Sequence, residues 1–238
     1  MINYFKIILL SALLATFAVT AQADGSWRIL SLLNSVNKPN FEKMDNIKQI
    51  KTAFFNYLLP IIKEENNKIR TLRSLIISNQ ISKSQLQKLA KKYHIKRINK
   101  EVLLEKVDTI PASLALAQAA IESDWGRSRF AKYWNNYFGI WCFSKGCGIQ
   151  PENRNKNAKH EVKNFASSNK SIEYYLLNIN RNHNYKLLRQ IRAYKRKHNL
   201  KLTGKSLSEG LDKYSATGYE YIVLIQSIIR QNNLTRFD

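Results

Sequence analysis

Residues 112–124, ASLALAQAAIESD, are small or apolar on nearly every side until Gln118 and Glu122. Read as a helix, this stretch has no face for water. A helix that is hydrophobic all round belongs at the centre of a packed protein. Pro111 suits the first turn, where its missing N–H goes unused, and Gly126 is the expected stop. The rest of the chain must therefore cover this helix, and a 44% hydrophobic content is enough to do so.

The cover is mostly helical. Between residues 41 and 80, Ile47, Ile50, Phe54, Phe55, Leu58 and Leu59 recur at intervals of three and four, the spacing of one helical face. Pro60 is expected to kink or break this helix, because it lacks the N–H that the turn needs. A second helix is expected at Ser84–Tyr93, with Ser84 and Gln87 forming a capping box. A third starts after Asn99. Texture then changes at NNYFGIWCF, which is aromatic and β-prone. AKHEVKNF, residues 158–165, reads as another short strand. The Asn, Lys and Arg-rich segment between them reads as an exposed loop. Helices return at Ser171–Asn180, Tyr185–His198, Ser206–Lys213 and Gly218–Asn232. Helices, a small β insert and helices again make an α+β fold that is predominantly helical.

Residues 1–23 have the form of a signal peptide: Lys6, an apolar run from Ile7 to Thr20, and Ala21-Gln22-Ala23 as a cleavage site. The run is shorter than the ~20 residues a membrane anchor requires. Cleavage would leave 215 residues, enough for a proper core. The expected layout is a signal peptide at 1–23, an N-terminal helical region at 24–105 and the principal domain at 106–238.

The formal charge of +22 implies an acidic neighbour. Export argues against nucleic acid and leaves anionic lipid or an acidic wall polymer. The basic residues are scattered, with a mild cluster at Arg189–His198, and much of this charge reads as solvated surface. In an exported chain the close pair Cys142 and Cys147 reads as a disulfide stapling a turn. The alternative, a zinc site with His160 or His183, lacks the spacing of any known motif.

The chemistry narrows by elimination. No Gly-x-Ser-x-Gly elbow is present, and a cysteine nucleophile competes with the disulfide. Carboxylate chemistry remains, and glycoside cleavage uses it to protonate a leaving oxygen. Gln118 and Glu122 lie four residues apart on one helical face. Apolar surroundings and the negative end of the helix dipole both push the Glu122 pKa upward, as an acid catalyst needs. The competing role is structural, with Glu122 paired to Arg127 or Arg129 to anchor the helix end.

PASLALAQAAIESDWGRSRFAKYWNNYFGIW, GCGIQPENR, KHEVKNF, SIEYYLLNINRNHNYKLLR and LDKYSATGYEYIVLIQSIIRQNNL together resemble glycoside hydrolase family 73, the bacterial endo-β-N-acetylglucosaminidases. With KTAFFNYLLPIIKEEN upstream, the chain is similar to the Bax-type periplasmic branch. The match spans nearly all of the mature chain and is weakest at about 81–100. It implies a lysozyme-like fold, an exported, periplasmic protein, and hydrolysis of the β-1,4 bond after N-acetylglucosamine in peptidoglycan.

The resemblance also implies roles. Glu122 falls on the general acid and Glu161 on the second carboxylate, although Glu161 could instead pair with Lys159 or Lys163. Tyr214 falls beside the scissile bond, with a buried core tyrosine as its alternative. Asn135, Asn136 and Phe138 fall on a cleft motif, and Asn136 could instead cap a turn. Trp125 and Trp141 could stack on sugars, Trp125 being better placed for the core; Tyr219 is the weakest substrate contact. No metal or cofactor is implied. The partner is a peptidoglycan glycan strand or another N-acetylglucosamine-containing glycan. Two rivals remain: a non-catalytic wall-binding protein on this scaffold, and a cationic protein acting on anionic membranes.

Overall fold

The all-apolar stretch forms the central helix of the fold. The computed structural model describes residues 38–151, 160–215 and 217–238. The signal-peptide stretch and the loop segment 152–159 lie outside them. Every residue of the central helix from Ala112 to Ala120 is buried. In chain order the helices are α1 (Ile47–Ile77), α2 (Lys83–Lys92), α3 (Lys100–Lys106), α4 (Ala112–Glu122) and α5 (Arg129–Trp134). After a small sheet come α6 (Ser168–Arg181), α7 (Lys186–Lys197), α8 (Gly204–Ser208) and α9 (Tyr219–Gln231). The fold is α+β, predominantly helical and lysozyme-like, as expected.

Helix α4 is enclosed by α1, α8 and α9. Phe54, Leu58, Ile61 and Ile62 of α1 share one apolar core with Leu114, Leu116 and Ala119 of α4 and Ile225 of α9. That core spans both sides of the expected 105/106 boundary, within the compact unit Pro39–Asp238. A second, smaller cluster joins Ile76 of α1 to Leu89, Tyr93, Leu103 and Val107.

Helix α4 has no side-chain cap of its own, since Pro111 precedes it. Asp238 supplies one from a distance. Its carboxylate accepts from the Ser113 N–H (2.9 Å), the Ser113 hydroxyl (2.7 Å) and the Gly204 N–H (3.1 Å). Residue 204 must be glycine for this approach, because a Cβ there would lie 2.2 Å from Ser113 Oγ.

Three local expectations are corrected. Helix α1 runs unbroken through Pro60. The carbonyl that Pro60 leaves unbonded belongs to exposed Asn56, where solvent can serve it, and buried residues on both sides hold the helix together. The capping box of α2 uses Ser82 and Gln85 rather than Ser84 and Gln87. Two such frames overlap in the sequence, and the earlier one gains extra helix. Helix α4 stops at Glu122, ahead of Gly126. Asp124, Trp125 and Gly126 all take positive φ (48°, 57° and 83°), and the Ser123 hydroxyl accepts from the Gly126 N–H (2.9 Å).

The sheet is smaller than the β-prone sequence suggests. It has β1 (Trp141–Cys142), β2 (Gly148–Ile149) and β3 (Glu161–Lys163), in the order β1-β3-β2 and antiparallel throughout. Register pairs Trp141 with Val162, Cys142 with Glu161, and Ile149 with Val162. Residues 135–140 turn instead of extending, because Asn135 takes a left-handed conformation (φ 53°) at the end of α5. Cys142 and Cys147 form the expected disulfide across the β1–β2 connection. The zinc alternative thereby loses both thiolates.

Candidate active site

The left-handed turn after α4 leaves Glu122 at the tip of a buried helix. Trp125 locks that turn, packing edge-on against Phe54 (5.7 Å) and Phe55 (5.6 Å) of α1. This is the core role expected of it. Non-glycine residues in left-handed conformations are uncommon, and strain of this kind gathers at functional sites.

Glu122 opens into a cleft of about 1170 Å³. Its walls come from residues 138–144 of the β-lobe, from Tyr214 and Ser215, and from the end of α6 with the start of α7. Gly139, at φ +60°, faces the carboxyl closely enough that a Cβ there would lie 3.3 Å from Glu122 Oε2. Glycine at this point keeps the acid open to the cleft.

A directed chain of hydrogen bonds holds the other oxygen. Tyr175 donates its hydroxyl to Gln118 Oε1 (2.6 Å). Gln118 Nε2 donates to the Tyr221 hydroxyl (3.2 Å), which in turn donates to Glu122 Oε1 (2.7 Å). Oε1 is thus committed as an acceptor, and Oε2 is the oxygen that faces Gly139. Burial pushes the Glu122 pKa above the ordinary glutamate range, and the Tyr221 hydrogen bond only partly opposes it. Among the described residues no cation pairs with Glu122. The anchoring partners considered from sequence are occupied elsewhere: Arg127 bonds Asp124 (2.7 Å), and Arg129 lies over the rings of Phe130 and Trp134.

Tyrosines line the back of the site. Tyr214 stacks on Tyr221 (5.2 Å between centroids, 9° between planes) and donates its hydroxyl to the Phe138 carbonyl (3.1 Å). Phe138 stacks on Tyr175 (3.9 Å, 6°). Burial raises the pKa values of Tyr175, Tyr214 and Tyr221, and brings Tyr185 to about 12, so all four stay protonated donors at neutral pH.

The other residues singled out by sequence fall in three groups. Phe138 and Trp141 line the cleft with Tyr214. Trp141 is 53% exposed and stacks on His160 (3.9 Å, 10°), which holds its ring as a platform. Gln118 is wholly buried and reaches the cleft only through Tyr221.

Asn135 and Asn136 build the turn. Asn136 donates to the carbonyls of Ile140 and Lys163 (both 2.9 Å) and accepts from the N–H groups of Phe138 (3.3 Å) and Ile140 (3.0 Å). Its amide is fully used, which fits the turn alternative and leaves nothing for a sugar hydroxyl. Asn135 donates to the Phe165 carbonyl (3.0 Å).

Glu161 and Tyr219 lie outside the cleft lining. Glu161 Oε1 accepts from the Gly146 N–H (3.0 Å) and Oε2 from the Gly148 N–H (2.8 Å), so the carboxylate clasps the disulfide turn. Tyr219 is 76% exposed, whereas Tyr221, two residues on, is 5% exposed and bonded to Glu122. Phe143, inside the disulfide loop, is 74% exposed and lines the cleft beside Trp141.

Tyr221 and Phe143 are the functional candidates that the sequence reading missed. Tyr221 has a legible signal. It lies four and eight residues before Ile225 and Ile229, on the apolar face of α9, while Tyr219 lies on the other face. We expect Tyr221→Phe to shift the alkaline limb of activity to higher pH. Among the described residues the lost hydroxyl is the one group that lowers the Glu122 pKa, so the acid keeps its proton further into the alkaline range. A pH–rate profile of the variant checks this.

A mostly helical fold that delivers one desolvated carboxyl from its central helix to a β-lobed cleft defines the lysozyme-like class. Residues 101–234 match the family model described as mannosyl-glycoprotein endo-beta-N-acetylglucosaminidase. The chain belongs to this glucosaminidase family, which makes it glycosidase-related. It is 32% identical over 203 residues to protein Bax of Escherichia coli (strain K12), a match covering 79% of this chain and 71% of the relative. No solved structure matches. No helix among the described residues is long and apolar enough to cross a membrane.

Proposed function

We propose that this chain is an exported endo-β-N-acetylglucosaminidase that cuts the β-1,4 bond after N-acetylglucosamine in peptidoglycan. Residues 106–238 carry the chemistry, 24–105 buttress them through α1, and 1–23 direct export. One observation carries the reading: Glu122 is a carboxyl with a raised pKa, no cation partner among the described residues, and one oxygen turned toward a large cleft.

In the proposed step, Glu122 Oε2 gives its proton to the glycosidic oxygen as the C1–O bond breaks. The bonding pair leaves with that oxygen, and positive charge develops at C1. Tyr221 stabilises the carboxylate that forms, because its hydrogen bond favours the ionised state. Tyr214 holds the Phe138 carbonyl and so sets Gly139 opposite the acid. Trp141 and Phe143 offer exposed faces to sugar rings.

The contacts of Glu161 favour a structural part for it. A carboxylate that accepts two backbone N–H groups holds the turn bearing Phe143, and the substrate's acetamido oxygen is then the group that meets C1. Glu161→Gln keeps an acceptor for one of these N–H groups, so the variant should retain a measurable part of kcat, whereas Glu161→Ala should lose more. Equal abolition of kcat by both variants, with folding intact by circular dichroism, would instead make Glu161 a catalytic base or nucleophile. Mass spectrometry of digested peptidoglycan tests the bond itself. Fragments ending in reducing N-acetylglucosamine are expected, and reducing N-acetylmuramic acid ends would reassign the activity as a muramidase.

A further inference from the structure

From Tyr174 through Ser208 the chain contains no acidic residue and nine lysines and arginines. The structure divides this charge into an internal and an exposed part. Arg189 and Arg192 are buried, and Arg196, itself exposed, reaches in to the buried Asp108. Arg189 donates to the carbonyls of Ile179 (3.0 Å) and Asn182 (2.7 Å) and lies 3.5 Å from Glu105. Arg192 and Arg196 surround Asp108. These three are structural.

Arg181 and Lys186 are different. Lys106 and Arg189 also line the cleft but are engaged by backbone carbonyls, and Arg189 by Glu105, whereas no carboxylate among the described residues pairs with Arg181 or Lys186, which line it too. Arg181 lies over the Tyr174 ring (5.4 Å), a cation–π contact that favours one direction for the guanidinium. Lys186 is exposed on the first turn of α7. Among the described residues the only acid lining the cleft is Glu122. Arg181 lies six residues beyond Tyr175, which the hydrogen-bond chain ties to Glu122, so along α6 it stands ~9 Å past that anchor at 1.5 Å per residue.

A strand without peptides offers such a wall at most the single lactyl carboxylate of each muramic acid, whereas a peptide stem carries several carboxylates. We propose that Arg181 and Lys186 bind the free carboxylates of the peptide stems carried by peptidoglycan, and so select peptide-bearing strands over bare glycan. This inference rests on the glycan-cleaving reading and names which part of the substrate the cleft recognises. Its geometry separates two tasks. Burial and the Tyr221 hydrogen bond set the direction of the Glu122 proton affinity, and neither cation pairs with it. Charge recognition thus occurs without stripping the acid of its proton.

The test compares kcat/KM on peptide-bearing strands and on the same strands freed of their stems by amide hydrolysis, with the lactyl carboxylates so exposed then capped as neutral methylamides. The wild type should prefer the peptide-bearing strands about fivefold to tenfold, the range two solvated charge pairs support, and added salt should erode the preference. In Arg181→Glu/Lys186→Glu the ratio should fall to one or below, while Arg181→Lys should keep part of it. The ratio is an internal control, since a folding defect lowers both rates together. A double variant that keeps the wild-type ratio, or a wild type without preference, overturns the proposal. Should neither strand be cut, the glycosidase reading falls. Dissociation constants of the two strands for Glu122→Gln, with and without the wall substitutions, then decide the present inference alone.

Discussion

Glu122→Gln should lower kcat on peptidoglycan by about 10²–10⁴-fold, the typical contribution of a positioned general acid, while raising thermal stability. The two effects have one cause. Burial raises the Glu122 pKa, so between its unfolded and folded pKa values the native state binds a proton that the unfolded chain does not. Stability is therefore lost as pH rises through that window, and above it the site bears the cost of a poorly solvated carboxylate. Glutamine keeps the shape and an acceptor for Tyr221 but carries no charge. Zymography on purified cell wall and melting curves from pH 4 to 8 measure both effects. The stability gain should be largest at the alkaline end and shrink toward acid pH, where Glu122 is itself neutral. Wild-type clearing by the variant would remove Glu122 from the mechanism.

The same helix shows what the sequence does and does not disclose. Its apolar run allows only a buried position, so its central place and the acid at its tip are both legible. The first and second ranks of the site diverge from there. Gln118 and Glu122 share a face by spacing alone, but Tyr221 reaches them from a hundred residues away, and only the apolar stripe of α9 hints at it. Tyr219 attracts attention as an aromatic early in that helix, although the helical period turns it outward.

Local motifs mislead where long-range contacts decide. Asn135 and Asn136 look like sugar-binding amides, yet Asn136 is used entirely by backbone groups of the loop and of β3. Glu161 reads as a second carboxylate or as a partner of Lys159 or Lys163, and nothing in KHEVKNF shows the turn that β1 and β2 bring to it. Pro60 reads as a break, yet tertiary burial on both sides outweighs the lost hydrogen bond. Basic residues are the least legible. RQIRAYKRK looks like solvated surface, and the structural part of Arg192 and Arg196 can be recognised only once Asp108, over 80 residues away, is in view.

That carboxylate supports the second large expectation: Asp108→Asn should destabilise the fold by about 3–5 kcal/mol, the usual cost of leaving a buried charge unpaired. Asp108 is buried with Arg192, and its oxygens lie 2.9 Å from Arg196, 3.6 Å from Arg73 and 3.7 Å from Arg192. It ties α1 to α7 just before the central helix begins. Asparagine preserves the shape but leaves the wholly buried Arg192 guanidinium with carbonyl acceptors alone. Burial by itself would raise the Asp108 pKa, but the charge of Arg192, the hydrogen bond from Arg196 and the charge of Arg73 outweigh it and hold the pKa below the ordinary aspartate value. The sign then follows. The stabilisation is fully present above the unfolded pKa of about 3.9 and is lost as pH falls through the lower folded value. Urea unfolding of wild type and variant at pH 7 should show the full difference, and the gap should narrow as the buffer is taken below pH 3. A gap that stays constant across that range would mean the lost stability comes from packing rather than charge. Because α7 also carries Lys186, the variant should loosen the cationic wall before it disturbs Glu122. On peptide-bearing strands KM should therefore rise at temperatures where kcat is still close to that of the wild type.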